Sequence, residues 1–178
     1  MGKSKIMAAV VALGVLGAAG SASADSGRVR EVRMLDRCDQ ASFDAVVGPG
    51  TCAPIFGDDG VTFAEFAAEL NPTDFGHDKW AFSQREIGVR PGERIHIVNR
   101  GGEFHTFTRV ARFGGGCVPE LNAPLGLSSV PECANPAVFA TGGPAGAEFD
   151  VIAPATEGTA KYMCVIHPWM RTKARVER

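Results

Sequence analysis

The sequence predicts an all-β domain, a sandwich or barrel of short strands, on three observations. Its 178 residues are the size of one ordinary domain. Glycine (22 residues) and proline (11 residues) are plentiful and scattered, which favours short strands joined by turns over long helices. Several short segments alternate apolar and polar residues between turn signals, and this pattern is typical of a β-sandwich or barrel.

The N-terminus is predicted to be a secretory signal peptide, residues 1–24. Lys3 and Lys5 precede an apolar run at residues 6–20, and the Ala-Ser-Ala sequence at 22–24 supplies the small residues that signal peptidase recognises. The run is shorter than the roughly 20 residues that span a bilayer. We therefore expect a periplasmic or secreted protein without a membrane span.

The charge of the mature chain bears on its partners. Removing residues 1–24 removes two lysines and no acids, so the formal net charge goes from −2 to −4. A mildly acidic chain lacks the basic face that nucleic acids require. We expect no nucleic-acid partner, and we expect a monomer.

Two stretches precede the main strands. Residues 25–37 are charged and are expected to be irregular or an edge strand, and residues 38–60 form a loop with Gly-Pro-Gly and Asp-Asp-Gly turns. Thr62 and Glu65 have the spacing of a capping box, which predicts the start of a helix. One apolar face of this helix would consist of Phe63, Phe66, Ala67 and Leu70.

Strand patterns fill most of the remaining chain. They span residues 82–89, 93–99, 104–110, 148–152, 159–165 and 172–177. Residues 111–145 interrupt them with a long stretch rich in glycine and proline. A structureless loop of that length is uncommon in a compact domain, so the stretch is expected to be a functional insertion or a stapled excursion.

The cysteines divide into two couples and one remainder. In an exported protein, pairs of cysteines are expected to oxidise to disulfides. Cys38 with Cys52 and Cys117 with Cys133 each bracket turn-forming residues. Four cysteines allow three pairings, and we favour these two short loops. Cys164 is left over, and a free thiol outside the cell is a liability unless something occupies it.

The surroundings of Cys164 supply three donors for a metal. Cys164, His167 and Met170 are evenly spaced as C-x-x-H-x-x-M, so a short turn would bring a thiolate, an imidazole and a thioether together. This combination suits copper, with the weak thioether at the axial position of a trigonal His₂Cys site. Such a site needs a second histidine from elsewhere in the chain.

Three other histidines are candidates for that position. His105 is favoured because it follows a Gly-Gly turn at the start of a strand, where a side chain can reach the end of a sandwich. His96 lies in the middle of a strand between isoleucines and is expected to be a packed or surface residue. His77 lies in a Gly-His-Asp turn and is expected to be solvated.

Two segments resemble cupredoxins of the amicyanin and plastocyanin type. Residues 164–176, C-V-I-H-P-W-M-R-T-K-A-R-V, resemble the C-terminal copper loop and last strand, including the proline at Pro168 and the aromatic residue at Trp169. Residues 99–105, N-R-G-G-E-F-H, resemble the N-terminal ligand segment, which has an asparagine six residues before the histidine. The two matches stand in the family's order, and the resemblance covers about residues 80–178.

The resemblance implies a cupredoxin-like Greek-key β-sandwich at residues 80–178. A short helix in an N-terminal extension, residues 25–79, and the stapled insertion would be additions to it. One copper, cycling between Cu(I) and Cu(II), would lie at one end of the sandwich. Its ligands would be His105, Cys164, His167 and Met170, with the backbone after His105 donating a hydrogen bond to the cysteine sulfur.

Two positions depart from the family pattern. Many cupredoxins have asparagine directly after the first histidine, where this chain has Thr106. Amicyanin-like loops often have proline two residues after the cysteine, where this chain has Ile166, which keeps its backbone N–H. If that N–H reached the sulfur, it would tend to raise the reduction potential.

The expected function is that of a blue-copper electron carrier between redox partner proteins, and not of an enzyme. Four histidines are too few for a multicopper oxidase or nitrite reductase, one loop cysteine is too few for a binuclear CuA centre, and nothing marks the orienting group of a Cys-His hydrolase. The ring edge of His167 is expected to reach the surface in an apolar patch that docks partners.

Two alternatives stay open. One is a copper-binding protein for storage, delivery or resistance, although no Met-rich or His-rich tract follows the signal peptide. The other is a disulfide-stapled secreted module without a metal.

Overall fold

The structure, a computed structural model, describes residues 29–178, so the predicted signal peptide at residues 1–24 lies outside the described part of the chain. Two four-stranded sheets and a small two-stranded pair make up the fold. The main hydrophobic core lies between the two large sheets and draws residues from both, and a second, smaller cluster contains Val110, Val130 and Met163. The predicted β-sandwich is confirmed.

The strands, in chain order, are β1 (Arg30–Leu35), β2 (Ala81–Phe82), β3 (Glu86–Val89), β4 (Arg94–Asn99), β5 (His105–Thr106), β6 (Thr108–Val110), β7 (Gly142–Gly143), β8 (Glu148–Ile152), β9 (Gly158–Met163) and β10 (Arg171–Val176). The α-helices are α1 (Gln40–Val46), α2 (Phe63–Ala68) and α3 (Pro119–Asn122). Short 3₁₀ turns lie at Gly57–Asp59, Ala123–Leu125, Pro131–Ala134 and Pro136–Thr141.

The first sheet has the strand order β2-β1-β4-β8 and the second has β3-β10-β9-β6. The predicted strand 82–89 is two strands in different sheets, because the chain crosses from β2 to β3. β1 runs parallel to β4 and lies between β2 and β4. The expectation of an irregular or edge segment at residues 25–37 is therefore wrong for β1. Its charged residues alternate with the fully buried Val32 and Met34, the alternation of a strand with one buried face.

Residues 36–80 cover one end of the sandwich. Asp39 caps α1 by accepting a hydrogen bond from the Ser42 N–H at 2.8 Å, and Thr62 and Glu65 form the reciprocal capping box of α2. Phe43 of α1 and Phe66 of α2 are buried in the main core. The division of the chain at residues 79 and 80 stays a prediction.

Both expected disulfides are present. Cys38 is bonded to Cys52, and Cys117 to Cys133, while Cys164 is free and buried. The excursion that contains Cys117 packs against the segment around Cys164, because the Cys117 N–H donates to the Val165 carbonyl at 2.5 Å. Within residues 29–178, no helix is long and apolar enough to cross a membrane.

Candidate metal centre

Three strand ends bring the proposed ligands to the same end of the sandwich. His105 opens β5, Cys164 follows β9, and His167 and Met170 lie in the turn that leads into β10. The turn is closed by two backbone hydrogen bonds, from Cys164 N–H to the Met170 carbonyl (3.1 Å) and from Met170 N–H to the His167 carbonyl (3.0 Å). All four residues are buried.

The donor atoms of His105, Cys164 and His167 converge. The two Nδ1 atoms are 3.2 Å apart, and Cys164 Sγ lies 3.9 Å from Nδ1 of His105 and 3.8 Å from Nδ1 of His167. Each separation is shorter than two metal–ligand bonds of roughly 2.0–2.3 Å placed end to end, so one ion can contact all three donors. Across residues 29–178, these three side chains form the one group of three or more His, Cys, Asp or Glu residues with this spacing.

The sulfur of Cys164 accepts two backbone hydrogen bonds. The N–H groups of Thr106 and His167 each lie 3.5 Å from Sγ. The second donor is thus His167, not Ile166. Burial raises the pKa of the Cys164 thiol, but hydrogen bonds and positive charge from His105 and His167 outweigh burial and lower the pKa well below its usual range. The site therefore favours the thiolate, the form that binds metals.

Thr106 links the two ligand segments. Its hydroxyl accepts a hydrogen bond from the Val165 N–H at 2.9 Å, and its backbone N–H reaches the sulfur of Cys164. Thr106 thus connects the strand that bears His105 to the loop that bears Cys164.

A buried carboxylate that the sequence did not single out holds the other side of His105. Oδ2 of Asp36 lies 2.6 Å from Nε2 of His105, and both side chains are fully buried. Burial raises the pKa of Asp36, but the hydrogen bond and charge of His105 together with the backbone N–H donors of Glu103 and Cys38 outweigh burial, and the pKa falls from 3.8 to about 2. Burial lowers the pKa of His105, but its contacts with Asp36 and Cys164 raise it from 6.5 to about 10.

The turn before His105 is shaped around Asp36. A Cβ atom on Gly101 would lie 1.9 Å from Oδ2 of Asp36, and one on Gly102 would lie 2.6 Å from Sγ of Cys38. Only glycine allows the backbone to approach this closely. Asn99 stabilises the same turn, since its Nδ2 donates to the Glu103 carbonyl at 2.7 Å and its Oδ1 accepts from the Gly101 N–H at 2.9 Å.

His167 is enclosed rather than surface-exposed. It is 2% exposed, its ring packs edge-on against Phe66 and Trp169, and its Nε2 lies 3.5 Å from Oε2 of Glu103. That oxygen also accepts a 2.5 Å hydrogen bond from Trp80, and burial raises the pKa of Glu103. The expectation that the ring edge of His167 reaches the surface is therefore wrong, because α2 and the Trp80 segment cover it.

The two remaining histidines lie away from the donors. His96 lies on the outer face of β4, 2.9 Å from Asp150 of β8, which agrees with a packed or surface role. His77 was expected to be solvated but is buried, because its ring packs on the ring of Trp80, with 5.2 Å between the two ring centroids. Its carbonyl accepts a hydrogen bond from Trp169 Nε1 at 3.2 Å.

Asp36 and Glu103 are the site residues that sequence reasoning missed. Asp36 follows the alternating strand β1 and lies two residues before Cys38. The signal available in the sequence for a buried site residue was a single acidic residue between a buried strand and a disulfide-bonded cysteine. Glu103 was read only as part of the turn before His105.

Comparison with protein-family models and with curated proteins finds no match. Comparison with solved structures finds cupredoxins. A purple cupredoxin from Nitrosopumilus maritimus is 16% identical, with a TM-score of 0.37 over 61% of this chain and 95% of that chain. Amicyanin from Paracoccus versutus is 19% identical (TM-score 0.36; 57% of this chain, 76% of that chain). A Cu(I) form of an amicyanin variant is 21% identical (TM-score 0.35; 55% and 73%).

The resemblance to cupredoxins seen in the sequence is thus confirmed as a similarity to solved cupredoxin structures.

Proposed function

We propose that the protein is a mononuclear blue-copper electron carrier. His105, Cys164 and His167 would hold one copper ion, and Met170 would supply the weak axial thioether. The observation that carries the proposal is the convergence of two imidazole Nδ1 atoms and a thiolate in a buried space. Two imidazoles, one thiolate and a weak thioether are the donors of blue-copper electron-transfer sites.

The residues present fit a copper ion. The thiolate of Cys164 is stabilised by two N–H donors, and the Nδ1 atoms of His105 and His167 lie 3.2 Å apart beside it. A bound copper would supply one-electron exchange between Cu(II) and Cu(I). The role of the chain is to hold the donors still and to exclude water, so that the site changes little between the two states.

The proposed carrier exchanges its electron through Trp169. His167 is covered, but the half-buried ring of Trp169 lies 5.4 Å from the ring of His167, centroid to centroid. Gly76 lies flat against this indole, since a Cβ there would come within 2.2 Å of it. The redox partner proteins would dock where the indole reaches the surface.

The route through Trp169 is tested by the electron self-exchange rate of the copper protein. Trp169→Ala should slow self-exchange at least tenfold, whereas Ile152→Ala, an exposed apolar residue paired with the far end of β4, should leave it unchanged. Equal self-exchange rates in the two variants would exclude the Trp169 indole as the route by which the electron leaves the site.

The remaining parts of the proposal are the export and the topology. An oxidising, periplasmic or extracellular location is supported by the two disulfides. A Greek-key connection is supported by the sequence neighbours β3 and β4, which lie in different sheets.

The function is tested by the visible spectrum of the purified mature protein with added Cu(II). An intense thiolate-to-copper band should bleach with ascorbate, return on oxidation over repeated cycles with the copper retained, and be absent from Cys164→Ser. Loss of copper to a chelator on each reduction would favour storage or delivery. A colourless protein with a freely titratable Cys164 thiol would contradict any copper function.

A further inference from the structure

We infer that Asp36 is a positioning residue for the copper site: its carboxylate fixes the protonation of the His105 ring and lowers the reduction potential of the bound ion. The inference rests on the proposed function, because it concerns a copper held by His105. It assigns a role in the metal site to a residue from the segment that precedes the region of cupredoxin resemblance.

The contacts of Asp36 show which atom carries the proton. Oδ1 accepts from the N–H groups of Cys38 (3.1 Å) and Gly102 (2.9 Å), and Oδ2 accepts from the Glu103 N–H (3.0 Å). His105 Nε2, at 2.6 Å, is the fourth partner. An ionised carboxylate offers about four acceptor sites and no donor, and three are taken by backbone donors. The hydrogen of the fourth contact therefore belongs to Nε2 of His105.

The protonation of Nε2 decides how His105 can bind a metal. With Nε2–H donating to Asp36, the lone pair of the neutral ring lies on Nδ1, the atom that faces Cys164 and His167. A carboxylate hydrogen-bonded to the far nitrogen of a histidine ligand fixes the tautomer and ring orientation and makes the ligand more basic. Asp36 thus prepares Nδ1 of His105 for the ion.

The same carboxylate adds negative charge in a region that solvent does not screen. Asp36 and His105 are fully buried, and charges interact more strongly there than at the surface. A fixed negative charge one ring away stabilises Cu(II) relative to Cu(I). Among residues 29–178, the ion pair of Asp36 is with His105, and no arginine or lysine of this range forms an ion pair with the carboxylate.

The second carboxylate near the site is held differently. Glu103 lies 3.5 Å from Nε2 of His167, a longer separation than that of Asp36 from His105, and its Oε2 is shared with the Trp80 indole. Burial also raises the pKa of Glu103. Of the two carboxylates, Asp36 has the contact that can hold a histidine ring in one orientation.

The chain offers a matched control on its surface. Asp150 lies 2.9 Å from Nδ1 of His96, but this pair is partly exposed to solvent on the outer face of β4 and β8. Asp36→Asn and Asp150→Asn make the same chemical change to an aspartate–histidine pair. Only the first pair includes a proposed copper ligand.

The experiment is a spectroelectrochemical titration of the copper-loaded protein. Asp36→Asn should shift the Cu(II)/Cu(I) equilibrium at least tenfold toward Cu(I), which is a rise of 59 mV for a one-electron couple. Asp150→Asn should leave the midpoint potential unchanged. A potential in Asp36→Asn equal to that of Asp150→Asn, with the thiolate-to-copper band intact, would overturn the role of Asp36 and leave the proposed function standing.

A measurement on the unsubstituted protein covers the case in which Asp36→Asn does not fold. In the Cu(I) form, which is diamagnetic, ¹H–¹⁵N NMR should detect a slowly exchanging proton on Nε2 of His105. A ring protonated on Nδ1, or a rapidly exchanging Nε2 proton, would overturn the inference. Absence of any copper–thiolate band in the unsubstituted protein would instead overturn the proposed function.

Discussion

Two aspartate–histidine pairs in this molecule have similar oxygen–nitrogen distances and very different surroundings. Oδ2 of Asp36 lies 2.6 Å from Nε2 of His105 and both side chains are fully buried, whereas Oδ1 of Asp150 lies 2.9 Å from Nδ1 of His96 and those side chains are 37% and 29% exposed. The exposed pair is a cross-strand neighbour in the register of β4 and β8. The buried pair joins the end of β1 to the start of β5, and Gly101 lies against the carboxylate.

Burial, not contact distance, decides what such a pair does. At the surface, water and salt screen the interaction, and neighbouring charges such as Arg94 and Glu148 share it. In the interior, the carboxylate has to be satisfied by the protein, and four donors do so at Asp36. The buried pair is therefore expected to couple to stability and to the metal, and the exposed pair to neither.

The largest expected effect is that of Asp36→Asn on the metal-free protein. An amide in this position turns one acceptor oxygen into an NH₂ group that faces N–H donors. Breaking a buried pair on one side costs about 3–5 kcal/mol, and we expect a loss of that size in the free energy of unfolding by urea. Asp150→Asn is the control. Equal losses in the two variants would contradict the distinction between buried and exposed pairs.

Removal of the disulfide next to Asp36 is a second test of the role of the buried pair. Cys38 and Cys52 hold the segment that carries Asp36 against Gly102. Replacing both with serine should cost about 2–4 kcal/mol, the usual contribution of a disulfide, measured by chemical unfolding of the metal-free protein. The copper form should also show a raised potential if Asp36 moves. A raised potential without any loss in the free energy of unfolding would argue against a stabilising role of the disulfide in the segment that carries Asp36.

The free energy of unfolding of the metal-free protein should depend on pH through the buried pair of Asp36 and His105. The pKa of Asp36 is lowered to about 2 in the folded protein. Its contribution to the free energy of unfolding is therefore complete above its unfolded pKa of 3.8 and is lost as the pH falls through 2. The pKa of His105 is raised to about 10, so its contribution is complete below 6.5 and is lost as the pH rises toward 10.

The measurement is unfolding of the metal-free protein from pH 2 to pH 10. Between pH 4 and pH 2 the protein should lose about 2 kcal/mol through Asp36, and this acid-side loss should be absent from Asp36→Asn. The same acid-side slope in both proteins would assign the loss to other carboxylates.

The smallest expected effect concerns the exposed pair. A double-mutant cycle on His96 and Asp150 should give a coupling far below the effect of Asp36→Asn, and the coupling should fall further between about 0.1 M and about 1 M salt, where the screening length shrinks from roughly 10 Å to 3 Å. A large coupling that is insensitive to salt would show that the surface pair is less screened than its exposure indicates.

Local patterns in the sequence predicted much of this fold. The strands at 94–99 and 148–152, the capping box at Thr62 and Glu65, and the two disulfides depend on residues that are close along the chain. The ligand turn was predicted for the same reason, because Cys164 and His167 are three residues apart.

Long-range contacts account for what the sequence did not predict. Asp36 meets His105 only because β1 pairs with β4, and a charged segment gave no sign of an inner strand. The burial of His167 depends on Phe66 and Trp80, which lie about 90 to 100 residues earlier in the chain. A turn composition such as Gly-His-Asp indicated exposure for His77, and packing against Trp80 overrode it.

In the proposed site, one copper binds to His105, Cys164 and His167 and keeps those ligands in both oxidation states. X-ray absorption at the copper edge tests this ligand set. We expect two nitrogen scatterers and one sulfur scatterer at short distance in the oxidised protein, and the same set after reduction. A spectrum without a short copper–sulfur distance, or one that loses a nitrogen ligand on reduction at neutral pH, would contradict it.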